Sequence, residues 1–323
     1  MLKSKKVLSH QGILLIITLV TYFVFACSSE TFRKFTNFFT ILRTMSIVSV
    51  IAVGVTFVIT LGEIDLSIET VPGLCAAVFC ILVESGTSVI VAMLAALAVA
   101  LIIGFVNGLI VVKTKLPSII VTLATAMIVG GLSEVTTSHR AIVVSVKSFV
   151  NFFNFKIGNF PGIALWMVLF VLIAYVILHR TNVGLNIELV GDNREAAVYS
   201  GIKVNRTIAT AFLISALFSF LAGMLGVSVS SNATPDMLRE YMMTAIASTV
   251  IGGTDMQGGK GSITGTIIGA FFLSTIANGF LLLGIQQWTL YLVNGIVIIL
   301  TLSIKELPRL KQFRIKERKL SRT

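Results

Sequence analysis

The sequence predicts an all-α polytopic membrane protein with about ten transmembrane helices, and three observations support this. Hydrophobic residues make up 56% of the chain and charged residues 12%, and the mean hydropathy is +0.98. A soluble chain carries roughly twice that share of charge. Several windows also reach the ~17–25 apolar residues that a helix needs to cross a bilayer. These windows are continuous rather than short and alternating, which favours a helical bundle over a β-barrel.

Hydropathy predicts ten spans within a single transmembrane domain, 1–323. In chain order they are 12–27, 41–61, 70–83, 88–112, 116–133, 162–178, 208–227, 241–254, 262–284 and 287–304. Two of them, 70–83 and 241–254, are shorter than a full crossing. They adjoin residues that disrupt helices, namely Pro72, Gly73, Gly252 and Gly253. Such segments are typical of broken helices inside a bundle, where irregular backbone lines a cavity.

Positive charge sets the predicted direction of the spans. With the N-terminus inside, 18 of the 25 lysine and arginine residues fall on the inner side and seven on the outer side. This excess predicts that both termini are cytoplasmic. The basic tail, 305–323, is expected to contact anionic lipid. Because the basic residues lie in loops and termini, the net charge of +11 does not indicate nucleic-acid binding.

A polar stretch, 179–206, separates two hydrophobic spans and is predicted to lie in the cytoplasm. Within it Glu195 to Tyr199 is predicted to form a short exposed helix that ends at Gly201, because glycine allows a left-handed C-terminal residue. Such a helix between two spans suits docking into a groove on a soluble partner. An ordinary solvated loop is the alternative.

Three acids follow the second span, in the segment Leu61 to Glu69. Carboxylates between apolar spans are costly unless they meet water or a partner. One interpretation is a cytoplasmic turn in which Asp65 or Ser67 caps the next helix. The other is a polar gate on a solute path, with Asp65 as a gate residue.

Two asparagine–glycine pairs lie inside long spans, at Asn107 and at Asn278. Glycine allows helices to approach closely, and asparagine hydrogen-bonds between helices, so packing is one role. The two spans run in opposite directions, which hints at an inverted repeat of spans 2–5 and 7–10. Polar groups in long spans must face protein or water, so Asn107, Thr122, Thr125 and Asn278 are predicted to line a translocation pathway.

The glycine-rich stretch 251–262 resembles a phosphate-binding loop but departs from the required spacing. Gly259 precedes Lys260, and Gly261 stands where such a loop has Ser or Thr. A hinge formed by Gly252, Gly253 and Asp255 is predicted instead. The histidines do not cluster and no metal-ligand spacing is present, so the sequence predicts no catalysis, metal or cofactor.

Four stretches together resemble the permease subunits of ATP-binding-cassette sugar importers of the ribose, xylose and galactoside type, across nearly the whole chain. They are Leu61–Ser67, Phe105–Leu109 with Lys115–Leu123, Gly191–Ile202, and Val250–Thr254 with Gly258–Gly261. Related permeases carry branched-chain amino acids, nucleosides or autoinducer furanoses. This chain departs from the pattern at Glu63 and Glu69, where the family commonly has glycine.

The resemblance implies a ten-helix importer in a prokaryotic plasma membrane, paired with a second copy or a sister permease. It implies a separate cytoplasmic ATP-binding subunit that docks on Glu195, Ala196, Ala197 and Gly201. It also implies an external solute-binding protein. Two other classes are alternatives: an ion-coupled secondary transporter that depends on Asp65 or Asp255, and a membrane scaffold or sensor that recruits a soluble protein without transport.

Overall fold

The computed structural model describes residues 10–114, 116–144, 146–286, 288–289, 291–296 and 299. The fold is helical, and the helices in chain order are α1 (His10–Ser28), α2 (Glu30–Arg33), α3 (Phe35–Thr60), α4 (Val71–Glu84), α5 (Val89–Thr114), α6 (Ser118–Thr137), α7 (Lys147–Phe153), α8 (Ile163–Arg180), α9 (Asn182–Asp192), α10 (Arg194–Tyr199), α11 (Val204–Ser230), α12 (Tyr241–Ile251) and α13 (Ile263–Leu282). Within the described residues, α1, α3, α5, α6, α8, α11 and α13 are long and apolar enough to cross a membrane.

The two predicted broken helices are confirmed as short apolar helices. Helix α4 has 14 residues and α12 has 11. At 1.5 Å per residue they extend about 21 and 16 Å, less than the ~30 Å hydrocarbon core. Half of the tenth predicted span, 287–304, lies outside the described residues, and the whole of the basic tail, 305–323, does so too.

Helices α3 and α11 form the centre of the bundle. In their apolar windows 83% of α3 and 67% of α11 are buried, against 17% of α1 and 22% of α5. Helix α3 packs against α11, α12 and α13, whereas α11 also packs against α4 and α5. Two glycines allow these contacts: a Cβ at Gly54 would lie 2.8 Å from the Cβ of Phe218, and one at Gly223 would lie 2.8 Å from the carbonyl of Pro72.

The two ends of the bundle differ. The end that carries α9 and α10 is called the inner end here, and the opposite one the outer end. At the outer end β1 (Ile142–Val143) pairs antiparallel with β4 (Asn232–Ala233), and β2 (Lys156–Ile157) pairs antiparallel with β3 (Phe160–Pro161).

The stretch 179–206 contains two helices, where the sequence predicted one. Helix α10 matches the predicted Glu195–Tyr199 helix, but α9 precedes it and was not predicted. The apolar residues Ile187 and Val190 explain α9, because they are fully buried and the helix packs against α3 and α11. The prediction of a single exposed helix was therefore wrong.

Candidate functional site

Helix α3 ends in a glycine cap that turns the chain back into the protein. The Gly62 amide donates to the carbonyl of Ile59 at 2.8 Å, and the Glu63 amide donates to that of Val58 at 3.0 Å. Gly62 has φ +80°, the left-handed conformation that this cap requires. The residues that follow, 61–70, are called the inner segment.

The backbone of the inner segment bonds to side chains of α6 instead of a neighbouring strand. The amide of Ile64 donates to Ser118 Oγ, and the amide of Leu66 donates to Thr122 Oγ1, both at 3.0 Å. Thr122 Oγ1 lies 3.1 Å from the carbonyl of Ile64. Buried peptide groups need such partners, so these hydroxyls allow an extended chain to run inside the bundle.

Asp65 is buried within this segment, with 4% of its surface exposed. Its Oδ1 accepts from the backbone amide of Ser67 at 3.0 Å and from the Ser67 hydroxyl at 2.5 Å. Its Oδ2 accepts from Ser215, near the middle of α11, at 2.7 Å. Asp65 is therefore buried and does not lie in a turn exposed to the cytoplasm. Neither the 3₁₀ helix Ser67–Glu69 nor α4, whose N-caps are Leu66 and Thr70, has a side-chain cap.

Asn107 on α5 extends the network around Asp65. Its Nδ2 donates to Ser67 Oγ at 3.0 Å, and its Oδ1 accepts from Thr125 on α6 at 2.6 Å. The structure thus brings together the predicted residues Asp65, Asn107, Thr122 and Thr125. It adds three serines whose part in this network was not predicted, Ser67, Ser118 and Ser215. These seven residues are called the polar network.

Asn278 lies apart from the polar network. Its Oδ1 accepts from Asn37 Nδ2 at 2.8 Å, which joins α13 to the first turns of α3 at the outer end. A Cβ at the neighbouring Gly279 would lie 2.6 Å from the ring of Phe25, so glycine allows α1 to approach α13. These contacts fit helix packing, and the predicted pathway role of Asn278 stays a prediction.

Two ion pairs connect the inner segment to distant parts of the chain. Glu63, whose side chain is 10% exposed, pairs with Arg194 at the start of α10. Glu69, at 17% exposed, pairs with Arg239 in the stretch 231–240, which is called the outer segment. Glu63 and Glu69, the two residues that depart from the family pattern, therefore each form an ion pair with an arginine.

The ends of α3 and α9 and the loop 252–262 meet at the inner end with little space between their backbones. The amide of Gly259 donates to the carbonyl of Thr60 at 2.8 Å. A Cβ at Gly191 would lie 2.1 Å from that same carbonyl, and one at Gly258 would lie 2.7 Å from the carbonyl of Gly191. We call Thr60, Gly62, Gly191, Gly258 and Gly259 the glycine junction.

The predicted hinge adjoins this junction. Helix α12 ends in the same type of cap as α3. The Gly253 amide donates to the carbonyl of Val250, and the Thr254 amide donates to the carbonyl of Thr249. Gly253 has φ +100°, and a Cβ at Gly252 would lie 2.3 Å from the backbone of Gly265. Asp255 bonds with its amide to the carbonyl of Lys260 at 2.9 Å and so closes the loop.

Helix α10 is short but capped at both ends. Asn193 Oδ1 accepts from the Ala196 amide at 3.0 Å, and the amides of Gly201 and Ile202 bond back to Val198 and Ala197. Gly201 has φ +78°, which confirms its predicted role in ending the helix. Ala197 is 3% exposed and faces the bundle, whereas Glu195, Ala196 and Val198 are exposed. A groove of about 380 Å³ adjoins the helix and is lined in part by Lys203 and Arg206.

This arrangement places short helices and extended chain around a buried polar network, and an exposed capped helix at one end. Irregular backbone at membrane depth is tolerated where it is buried in protein or lines a cavity, which is typical of transport proteins. The fold and site thus define a multi-span membrane protein of the transporter class.

Comparison with known proteins gives the family. Residues 37–302 match the model of the family described as the permease component of branched-chain amino acid transport systems. The chain belongs to this family.

Individual relatives cover most of the chain. It is 36% identical to the ribose import permease protein RbsC of Bacillus subtilis (strain 168) over 275 residues, which are 84% of this chain and 85% of the relative. It is 35% identical to RbsC of Escherichia coli (strain K12) over 90% of this chain and 92% of the relative. The autoinducer 2 import system permease protein LsrD of Escherichia coli (strain SMS-3-5 / SECEC) is 29% identical over 78% of each chain. No solved structure matches the chain.

Proposed function

We propose that this chain is the permease subunit of an ATP-driven importer that moves a sugar or sugar-like solute into the cytoplasm. One observation carries the proposal: an exposed, capped helix, α10, is tied by Arg194 and Glu63 to a segment that enters the buried polar network. The likeness to two ribose import permeases makes ribose the first solute to test. The likeness to an autoinducer 2 permease makes that compound the second.

The chain makes no covalent chemistry in this proposal, and a separate cytoplasmic subunit hydrolyses ATP. That subunit docks on α10 and on the groove beside it. Glu195 and Ala196 are exposed and provide contacts, whereas the buried Ala197 holds α10 against the bundle. Gly201 fixes the end of the helix.

The solute passes beside the polar network. Asn107, Thr122 and Thr125 supply hydroxyl and amide groups, and Asp65 acts as the gate because it holds the inner segment against α11. Gly252, Gly253 and Asp255 act as the hinge between α12 and α13. Asn278 lines the translocation pathway at the outer end. ATP binding shifts the population between outward-open and inward-open states.

The order of elements supports ten helices arranged as an inverted repeat. Helix α3 is followed by the inner segment, short α4 and long α5, and α11 is followed by the outer segment, short α12 and long α13. The packing is reciprocal as well, because α3 packs against α12 and α13 while α11 packs against α4 and α5. The last span, 287–304, completes the second half.

The remaining partners and the orientation follow from the family and the charge pattern. We infer that both termini are cytoplasmic in a prokaryotic plasma (inner) membrane, with anionic lipid around the basic tail. An external solute-binding protein delivers the solute to the outer end. A second permease, either another copy or a sister chain, completes the transmembrane unit.

The test of transport is uptake of labelled ribose into proteoliposomes that hold the chain with its partner ATPase and solute-binding protein. We expect uptake that requires ATP on the ATPase side and persists without a sodium or proton gradient. Uptake that follows an ion gradient and ignores ATP would favour the ion-coupled transporter. ATPase binding with no uptake of ribose or autoinducer 2 would favour the scaffold.

The test of docking is co-purification of the ATPase with variants of α10. Gly201→Pro removes the left-handed residue, so we expect loss of the complex, and Glu195→Ala should weaken it. Gly158→Pro is the matched control, because Gly158 also has a positive φ, +62°, and open space around it but lies at the outer end. Equal recovery of the ATPase with Gly201→Pro and Gly158→Pro would contradict docking on α10.

A further inference from the structure

Glu63 occupies an unusual position for a carboxylate. Only 10% of its side chain is exposed, and its amide makes the outer hydrogen bond of the α3 cap, to the carbonyl of Val58. A buried carboxylate is costly unless it has a charged or hydrogen-bonding partner. Its partner is Arg194, the first residue of α10, which is 131 positions away in sequence and half-exposed. The pair therefore connects the exposed helix α10 to the inner segment at Glu63.

The chain beyond Glu63 has little freedom to absorb a displacement. The next residue, Ile64, bonds through its amide to Ser118 and through its carbonyl to Thr122. Asp65 then bonds to Ser215 on α11, and Ser67 bonds to Asn107 on α5. A shift of Glu63 thus changes the contacts of the inner segment with three membrane helices.

The opposite end of the inner segment carries a second ion pair. Glu69 pairs with Arg239 of the outer segment, where a Cβ at Gly73 would lie 2.6 Å from the carbonyl of Pro235. The inner segment therefore connects α10, at one end of the molecule, with the segment that folds in from the other.

We propose that the Glu63–Arg194 pair transmits the movement of α10 to the polar network, and that Glu63 and Arg194 are positioning residues for transport. The inference rests on the proposed function, in which the ATPase moves α10. When α10 shifts, Arg194 draws Glu63 and the inner segment with it, and the bonds of Asp65 and Ser67 to α11 and α5 rearrange. The two glutamates at Glu63 and Glu69 give this chain charged links at both ends of the segment.

A competing route runs from α10 through α9 to the glycine junction, where Gly191 meets Thr60. That route depends on backbone contacts and does not use the charge of Glu63. Exchanging the two charges therefore separates the routes, because it alters the ion pair and leaves every glycine in place.

The experiment compares wild type, E63R, R194E and the E63R/R194E double variant in ribose-transporting proteoliposomes, with uptake and ATP hydrolysis measured in the same sample. We expect each single variant to retain the ATPase but to import about fivefold less ribose per ATP, within the usual range of coupling between sites. The double variant restores the pair in reverse and should return to within about twofold of wild type. E188R is the control, because Glu188 lies on α9 and the substitution makes the same charge change outside the pair.

The outcomes separate this inference from the proposed function. If wild type shows no ATP-dependent uptake of ribose or of autoinducer 2, the proposed function fails. If wild type transports and the single variants import as much ribose per ATP as E188R, the inference is wrong. Loss of ATPase binding in R194E alone would place Arg194 in docking and also overturn the inference. If charge reversal prevents folding, E63Q decides, because it keeps the volume: unchanged ribose per ATP contradicts the inference and a several-fold loss supports it.

Discussion

The inner and outer segments, 61–70 and 231–240, stand at equivalent places before the short helices α4 and α12, but they are held differently. The inner segment bonds to side chains inside the bundle, through Ser118, Thr122 and Ser215. The outer segment starts as strand β4, which pairs its backbone with β1 of an outer loop. The inner segment is therefore fixed by buried hydroxyls and a carboxylate. The outer segment combines backbone pairing to β1 with a hydrogen bond from Ser133 on α6 to the Pro235 carbonyl, at 3.2 Å, and with the ion pair of Arg239.

This difference indicates that the inner and outer segments have different roles in transport. Backbone pairing joins the outer segment to an outer loop, so we expect the two to move together when an external partner binds. The inner segment has discrete side-chain bonds to three helices and an ion pair to α10. Interfaces with discrete bonds exchange between alternative arrangements instead of deforming continuously. We therefore expect substitutions in the inner segment to affect transport more than equivalent ones in the outer segment.

The largest effect is expected for Asp65→Ala. The substitution leaves the amide and hydroxyl of Ser67 and the hydroxyl of Ser215 without their acceptor, at a cost of about 3 kcal/mol in the free energy of unfolding. Thermal unfolding in detergent measures the loss of stability, and ribose uptake measures the loss of transport that we expect with it. Asp236→Ala in the outer segment is the comparison, and an equal loss in both variants would contradict the division between the segments.

The second effect concerns the glycine junction. Gly191→Ala places a Cβ 2.1 Å from the Thr60 carbonyl and 2.6 Å from the Gly259 amide, so backbone must move at about 1–3 kcal/mol. We expect a lower thermal midpoint and reduced uptake. Gly131→Ala in α6 is the matched control, since nothing lies within 4 Å of that Cβ. A similar midpoint for both variants would show that the ends of α3 and α9 and the loop 252–262 do not meet as described.

A smaller effect is expected for Thr122→Val, which keeps the shape but removes the hydroxyl. The Leu66 amide loses its acceptor, which costs about 1–3 kcal/mol when the group stays buried. Thr137→Val is the control on the same helix, because among the residues that the structure describes the buried Thr137 hydroxyl bonds only within α6. Thermal midpoints that fall equally for the two variants would argue against the inner segment's dependence on Thr122.

The smallest effect is expected for Glu69→Gln. Arg239 is 64% exposed, so its pair with Glu69 contributes about 1 kcal/mol or less to the free energy of unfolding. We expect the free energy of unfolding to fall slightly, measured by thermal unfolding in detergent. The decrease should be smaller at high salt, because solvent ions screen the exposed arginine. A drop as large as that of Asp65→Ala would mean that the two segments depend on each other for folding.

Much of this site could be predicted from sequence. Polar residues inside apolar spans are conspicuous, so the sequence singles out Asp65, Asn107, Thr122 and Thr125, which the structure brings together; their gate and pathway roles stay predictions. The end of α10 at Gly201 followed from local turn chemistry. Proline and glycine beside short apolar runs indicated both broken helices.

The other features of the site could be identified only from the three-dimensional structure. Ser215 gives no distinctive signal, because a serine in a helix readily bonds the carbonyl four residues back. The partners of Glu63 and Glu69 are 131 and 170 positions away, and no local pattern pairs them. Helix α9 was missed because its buried face is narrow, formed by Gly184, Ile187 and Val190, and because polar residues are spread along the helix, at Asn182, Asn186, Glu188 and Asp192.

The most direct test of the account is hydrogen–deuterium exchange of the two segments in the assembled complex in lipid nanodiscs. Exchange of 61–70 and of 231–240 would be compared with and without ATP, in wild type and in Arg194→Ala. We expect ATP to change exchange at the amides of Ile64 and Leu66 in wild type, and this change to disappear in Arg194→Ala. An ATP-dependent change in 61–70 that is the same in both proteins would contradict the account.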